Sequence, residues 1–129
     1  KDIEIPVVKN VSVAIIREWN EEFLSNDWNA YIINDKEVEI VMVLIATKGE
    51  DGNRKTSTMR HAINRIAPKS FEKIEMIQED VLSLNNEFSV TFFAENKLYE
   101  KKYVFKKDSV TEANCGLIPT INRNGVQVK

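Results

Sequence analysis

Ile40-Val41-Met42-Val43-Leu44-Ile45-Ala46 is the stretch on which the architecture turns. Asn34-Asp35-Lys36 lies before it and Lys48-Gly49-Glu50-Asp51-Gly52 after it. An apolar run this short reads as a strand, since helices usually take about ten residues or more, and its β-branched Ile and Val fit a pleated surface. Side chains alternate along a strand, so Ile40, Met42, Leu44 and Ala46 are expected on one face and Val41, Val43 and Ile45 on the other. Both faces are then apolar. Trp28-Asn29-Ala30-Tyr31-Ile32-Ile33 has the same character apart from Asn29. Antiparallel sheets normally leave one face polar, and two such strands left uncovered would form a larger patch than monomers tolerate. The second face therefore needs a cover. A second copy of the chain, giving a homodimer, is the expected cover, with Ile3 to Val8 as the alternative.

Other strands are legible outward from this one. Val11 to Ile16 forms a first run, followed by the acidic Glu18-Trp19-Asn20-Glu21-Glu22, which suits a short helix or a long hairpin loop. Thr56 to Ile63 reads as a weaker fourth strand. Ala67-Pro68-Lys69-Ser70 breaks the chain, because proline lacks the N–H a central strand needs. Phe71 to Ile77 follows, and Gln78 to Leu84 reads as a helical turn bridging two sheets. Phe88, Val90 and Phe92 alternate with Ser89, Thr91 and Phe93 at a period of two. Glu95-Asn96-Lys97 turns that strand back, and the return from Leu98 puts Tyr99, Tyr103 and Phe105 on one face. Leu117 to Ile121 and Val126 to Val128 flank Asn124-Gly125, a strong hairpin-turn signal.

Seven to nine short strands joined by turns predict an all-β, antiparallel β-sandwich in one domain spanning 1–129. The pattern resembles small immunoglobulin-like domains. Ile32-Ile33-Asn34, Ile40 to Ile45, Ala67-Pro68-Lys69-Ser70 before the Phe71 strand, and the Phe88 to Phe105 hairpin carry that likeness. The Cys…Trp…Cys core of antibody domains is absent. The resemblance implies a module that binds or spaces other domains.

Composition narrows the classes further. The 129 residues carry 18 basic and 20 acidic side chains, a net charge of −2, so bulk charge favours neither nucleic acid nor an anionic membrane. No apolar run approaches the roughly 20 residues of a membrane-spanning helix. Cys115 is alone, which rules out an internal disulfide and points to a reducing, cytoplasmic compartment. A chain opening on Lys1 instead of Met reads as a processed or trimmed product. Asn10-Val11-Ser12 matches the glycosylation acceptor pattern, which arises often by chance.

Chemistry-bearing motifs are sparse. Residues 54–69 hold five basic side chains and no acid. Arg54, Lys55, Thr58, Arg60, His61, Arg65 and Lys69 are the candidate anion-binding set, for phosphate, nucleic acid or an acidic partner. Taken as a strand, this segment puts Thr56, Thr58 and Arg60 on one face. A charged edge strand kept from pairing is the plainer reading, and no aromatic interleaves the segment to stack on single-stranded nucleic acid. Ser57 and His61 are four apart, about 13 Å on a strand, too far for a nucleophile–base pair. Neither Glu18, Glu21, Glu22 and Asp27 nor Glu72, Glu75, Glu79 and Asp80 follows the EF-hand pattern, so no metal is expected. The glycines form no phosphate or dinucleotide loop, so no cofactor is expected. Lys101, Lys102, Lys106 and Lys107 around Tyr103 and Phe105 read as the solvent side of a sandwich strand. The chain is thus expected to be a non-enzymatic interaction or structural module, with an anion or nucleic-acid binding domain on 54–69 as the alternative.

Overall fold

A computed structural model describes residues 6–129. The described chain forms β1 (Val11–Asn20), β2 (Ser25–Asn34), β3 (Ile40–Glu50), β4 (Met59–Ile66), β5 (Ser70–Ile77), β6 (Asn85–Ala94), β7 (Lys97–Phe105), β8 (Gly116–Ile118) and β9 (Arg123–Val128). All pair antiparallel, in a five-stranded sheet ordered β5-β2-β1-β9-β8 and a four-stranded sheet ordered β4-β3-β6-β7. The protein is all-β, and no helix among the described residues is long and apolar enough to cross a membrane.

The acidic stretch is neither a helix nor a long loop: Glu18, Trp19 and Asn20 continue β1, and Glu21 and Glu22 open a tight hairpin turn closed by the pairing of Asn20 with Ser25. Glu95 and Asn96 join β6 to β7 with φ of 51° and 63°, the left-handed pair that matches strand twist in a two-residue turn. A 3-10 turn at Glu79–Ser83 carries the chain from the five-stranded sheet to the four-stranded one. The crossing from β2 to β3 is pinned by Asn34, which is wholly buried. Its amide donates to the carbonyls of Val38 (3.0 Å), Ile66 (3.2 Å) and Ala67 (3.1 Å), and its Oδ1 accepts from the Lys36 N–H (3.0 Å). These bonds satisfy a buried amide that would otherwise be costly.

Between the sheets, Val13, Ile15, Ala30 and Ile32 meet Val43, Ile45, Phe88, Val90, Phe92 and Phe105 in the main core. Tyr103 joins them and donates its hydroxyl to the Val11 carbonyl at 2.7 Å, tying β7 to β1. A second apolar cluster lies on the other side of the five-stranded sheet. There Ala14, Ile16, Tyr31 and Ile33 are buried beneath Ile118 and Ile121, with Phe71 alongside. The second face of β1 and β2 is thus covered by the chain's own C-terminal segment. Of the expected N-terminal cover, Val8 joins the main core and Ile3 to Ile5 lie outside the described residues.

Four other sequence expectations need correction. Ile40–Ala46 and Trp28–Ile33 lie in different sheets, so they do not build one patch. Strict alternation fails in β3, because Met42 takes φ 51° and the register against β6 slips between Val41 and Leu44. This bulge buries Ile40, Val43, Ile45 and Thr47 and turns Met42 and Leu44 outward. The fourth strand starts at Met59, not Thr56, so Thr56, Thr58 and Arg60 do not share a strand face. Asn124-Gly125 lies inside β9, opposite Leu117 and Gly116, and the reversal is made by Pro119 to Asn122.

Gly125 is there for close approach. A Cβ on it would collide with the Ile15 carbonyl oxygen and sit 2.7 Å from Ile16 Cδ1. Gly125→Ala should therefore push β9 off β1 and lower the unfolding free energy by about 2–3 kcal/mol. Urea denaturation reads this directly, and an unchanged midpoint would contradict the docked position of β9.

Candidate functional site

The basic segment 54–69 is largely compensated within the fold. Arg54 lies 3.1 Å from Asp51, Lys69 lies 3.4 Å from Glu37, and Arg65 pairs with Glu39. The backbone N–H groups of Arg54 and Asn53, with the Arg54 guanidinium, hold the Asp51 carboxyl down at about 2, so the loop carries its own counter-charge. His61 Nε2 is 2.6 Å from Glu75 Oε1, which also accepts from Thr47 Oγ1 at 2.9 Å. That contact ties β4 to β5 across the sandwich edge and leaves Ser57 outside it. Arg54, Lys55 and Thr58 line one depression together with Glu50. Arg60 turns to the outer face of the four-stranded sheet, opposite Ala46, and Arg65 joins that face opposite Val41, where it is paired with Glu39. The seven candidates are therefore not gathered into one site. Among the described residues no group of three or more His, Cys, Asp or Glu side chains is placed to hold a metal ion.

The outer face of the four-stranded sheet gathers several exposed apolar side chains; Met76 on β5 and Leu117 on β8 are exposed on the other sheet. Met42 is 64% exposed, Leu44 56%, Leu98 43% and Val104 42%. By register, Ala62, Leu44, Thr91 and Glu100 form one row across the four strands, and Arg60, Ala46, Ser89 and Lys102 the next. A groove of about 390 Å³ runs along these rows, lined by Leu44, Ala46, Ala62, Ser89, Thr91 and Arg60. Lys48, Glu87 and Lys102 close one end, at 3.5 Å and 2.6 Å. The Lys102 ammonium, through its hydrogen bond, is the main cause holding the Glu87 carboxyl below its usual range. Arg60 makes no ion pair among the described residues, so the groove has an apolar floor and one uncompensated cation.

A second exposed apolar element is the tip of the β1–β2 hairpin, which the sequence presented only as an acidic stretch. Trp19 is 53% exposed, Phe23 71% and Leu24 70%. Asn20 Oδ1 accepts from the N–H groups of Glu22 (3.0 Å) and Phe23 (3.2 Å), and Asn20 Nδ2 donates to Asp27 at 2.8 Å. These bonds hold the tip in one conformation. Leu24 has φ 49°, a left-handed position that suits glycine or asparagine better than leucine. Three large apolar residues within a turn-forming, acidic segment were the sequence signal for this element.

On the other sheet, a polar clasp fixes the C-terminal cover. Glu18 Oε1 accepts from Tyr31 OH (2.6 Å) and Asn29 Nδ2 (2.9 Å), and Glu18 Oε2 accepts from Arg123 (3.0 Å). The guanidinium also lies over the Tyr31 and Phe71 rings.

No family model, curated protein or solved structure matches this chain.

Burial first, then the hydrogen bond to Glu18 and its charge, push the Tyr31 phenol up to about 12, against about 10 for an unfolded tyrosine. The folded state therefore keeps this proton where the unfolded chain has lost it. Stability should fall as pH rises from about 10 towards 12. Urea melts across that range should show the fall, and Tyr31→Phe should flatten part of it. An identical pH profile in the variant would show that the clasp does not hold the phenol proton.

Proposed function

We propose that this chain is a non-enzymatic protein-interaction module whose contact surface is the outer face of the four-stranded sheet. One observation carries the reading: the outer face of β1 and β2 is covered by Ile118 and Ile121 of the same chain, while Met42 and Leu44, side by side on the other sheet, stay open to solvent. Exposed apolar side chains gathered on one sheet face mark an interaction surface more than a catalytic one. A second copy of the chain is the partner inferred first.

The strand order supports the immunoglobulin-like likeness. Lettered A to G in chain order, the first seven strands give E-B-A against D-C-F-G. An immunoglobulin constant domain has A-B-E-D against C-F-G, so only the fourth strand changes sheets. Anion or nucleic-acid binding through 54–69 draws less support, since Arg54, His61, Arg65 and Lys69 already face carboxylates.

Sedimentation velocity over a wide concentration range tests the reading. The wild-type chain should associate, and Leu44→Glu should weaken that association at least tenfold with an unchanged melting temperature, because Leu44 is half exposed and outside the core. A wild-type chain that stays monomeric at millimolar concentration would remove the second copy as partner. Association insensitive to Leu44→Glu would move the contact elsewhere.

A further inference from the structure

We propose that copies of this chain associate head to tail, the β1–β2 hairpin tip of one entering the groove on the four-stranded sheet of the next. The inference rests on the interaction-module reading and names its partner surface.

Chemical complementarity is the first argument. The tip offers Trp19, Phe23 and Leu24, with Glu21 and Glu22 in the same turn and unpaired among the described residues. The groove offers an apolar floor at Leu44, Ala46 and Ala62 and the uncompensated Arg60 at its border. An acidic, aromatic knob thus meets an apolar slot with Arg60 on its β4 side, the knob's carboxylates directed away from Glu100, which borders the β7 side without an ion pair among the described residues. Aromatic side chains are favoured anchors in such pockets.

Area is the second argument. Four strands about 4.8 Å apart make a face only about 19 Å wide, and the apolar rows span a similar length, so a flat face-to-face pair would bury about 400 Å² per copy. Standard interfaces bury about 800 Å² per partner. A knob closes that gap better, because Phe23 and Leu24, about 70% exposed in the free chain, bring apolar area beyond that of the flat face.

Preorganisation is the third. The Asn20 bonds already hold the tip, so little ordering is needed on binding.

Knob and groove are different surfaces of one chain, so the contact is heterologous and leaves a free knob and a free groove at each step. That gives a sharp test by sedimentation velocity and light scattering. The tip variant is Phe23→Ser with Leu24→Asn, the second change relieving the backbone; the groove variant is Leu44→Glu. Wild type should form a series of species growing with concentration. Each variant alone should be monomeric. Mixed in equal amounts they should form one heterodimer and nothing larger, since the tip variant keeps its groove and the groove variant keeps its tip. A tip variant that associates as well as wild type, while Leu44→Glu does not, would overturn the head-to-tail contact and leave the sheet-face reading standing. A wild type that is monomeric throughout, or a mixture that stays monomeric while wild type associates, would overturn it as well.

Discussion

The second apolar face of β1 and β2 is the constraint around which this sandwich is built. Ala14, Ile16, Tyr31 and Ile33 point away from the main core and would face water if the chain ended after β7. Apolar surface left in water costs roughly 25 cal/mol per Å², so the C-terminal segment is drawn across it. Ile118 and Ile121 fill the cover, β9 extends the sheet at the free edge of β1, and Gly125 admits β9 close to Ile15 and Ile16. Arg123 then fastens the segment through Glu18 and the rings of Tyr31 and Phe71. The charge and the rings act together, since the guanidinium can stack and donate at once.

Covering one sheet makes the molecule two-sided. The five-stranded sheet buries the apolar residues of β1 and β2 on both faces, while Met76 on β5 and Leu117 on β8 stay exposed. The four-stranded sheet buries one face and leaves the other with Met42, Leu44 and Leu98 exposed. The Met42 bulge contributes to this asymmetry. It keeps Ile40 in the core with Val43 and Ile45, and it sends Met42 itself outward. The exposed apolar side chains of this fold thus gather mainly on a sheet face and a hairpin tip. The His61–Glu75–Thr47 contact, which comes nearest to a catalytic grouping, is occupied in joining β4 to β5.

Much of the fold was legible along the chain, and the misses have local causes. Period-two alternation found the β6 strand, and the return strand was read with Tyr99, Tyr103 and Phe105 together, because each side chain there meets the same core. Thr56 and Thr58 have strand propensity, which draws the expected fourth strand ahead of its start at Met59, whereas the Asp51 loop captures this segment: Thr56 accepts from the Gly49 N–H and Asp51 accepts from the Arg54 N–H. Asn124-Gly125 looked like a turn because glycine permits positive φ; here glycine is needed for the missing Cβ. The candidate anion set appeared uncompensated because its carboxylate partners, Glu37, Glu39 and Glu75, lie outside the segment.

Hydrophobic pattern and turn residues alone were enough for the class: all-β, two antiparallel sheets, apolar strands whose second faces need cover. These are local properties, set by the alternation of each strand and the chemistry of each turn. Which segment supplies the cover, which sheet face stays open and which charges remain unpaired were decided only in three dimensions. Each of those depends on contacts between residues far apart in the chain, such as Ile33 with Ile121, Arg123 with Glu18 and His61 with Glu75, and a single sequence carries no record of their proximity.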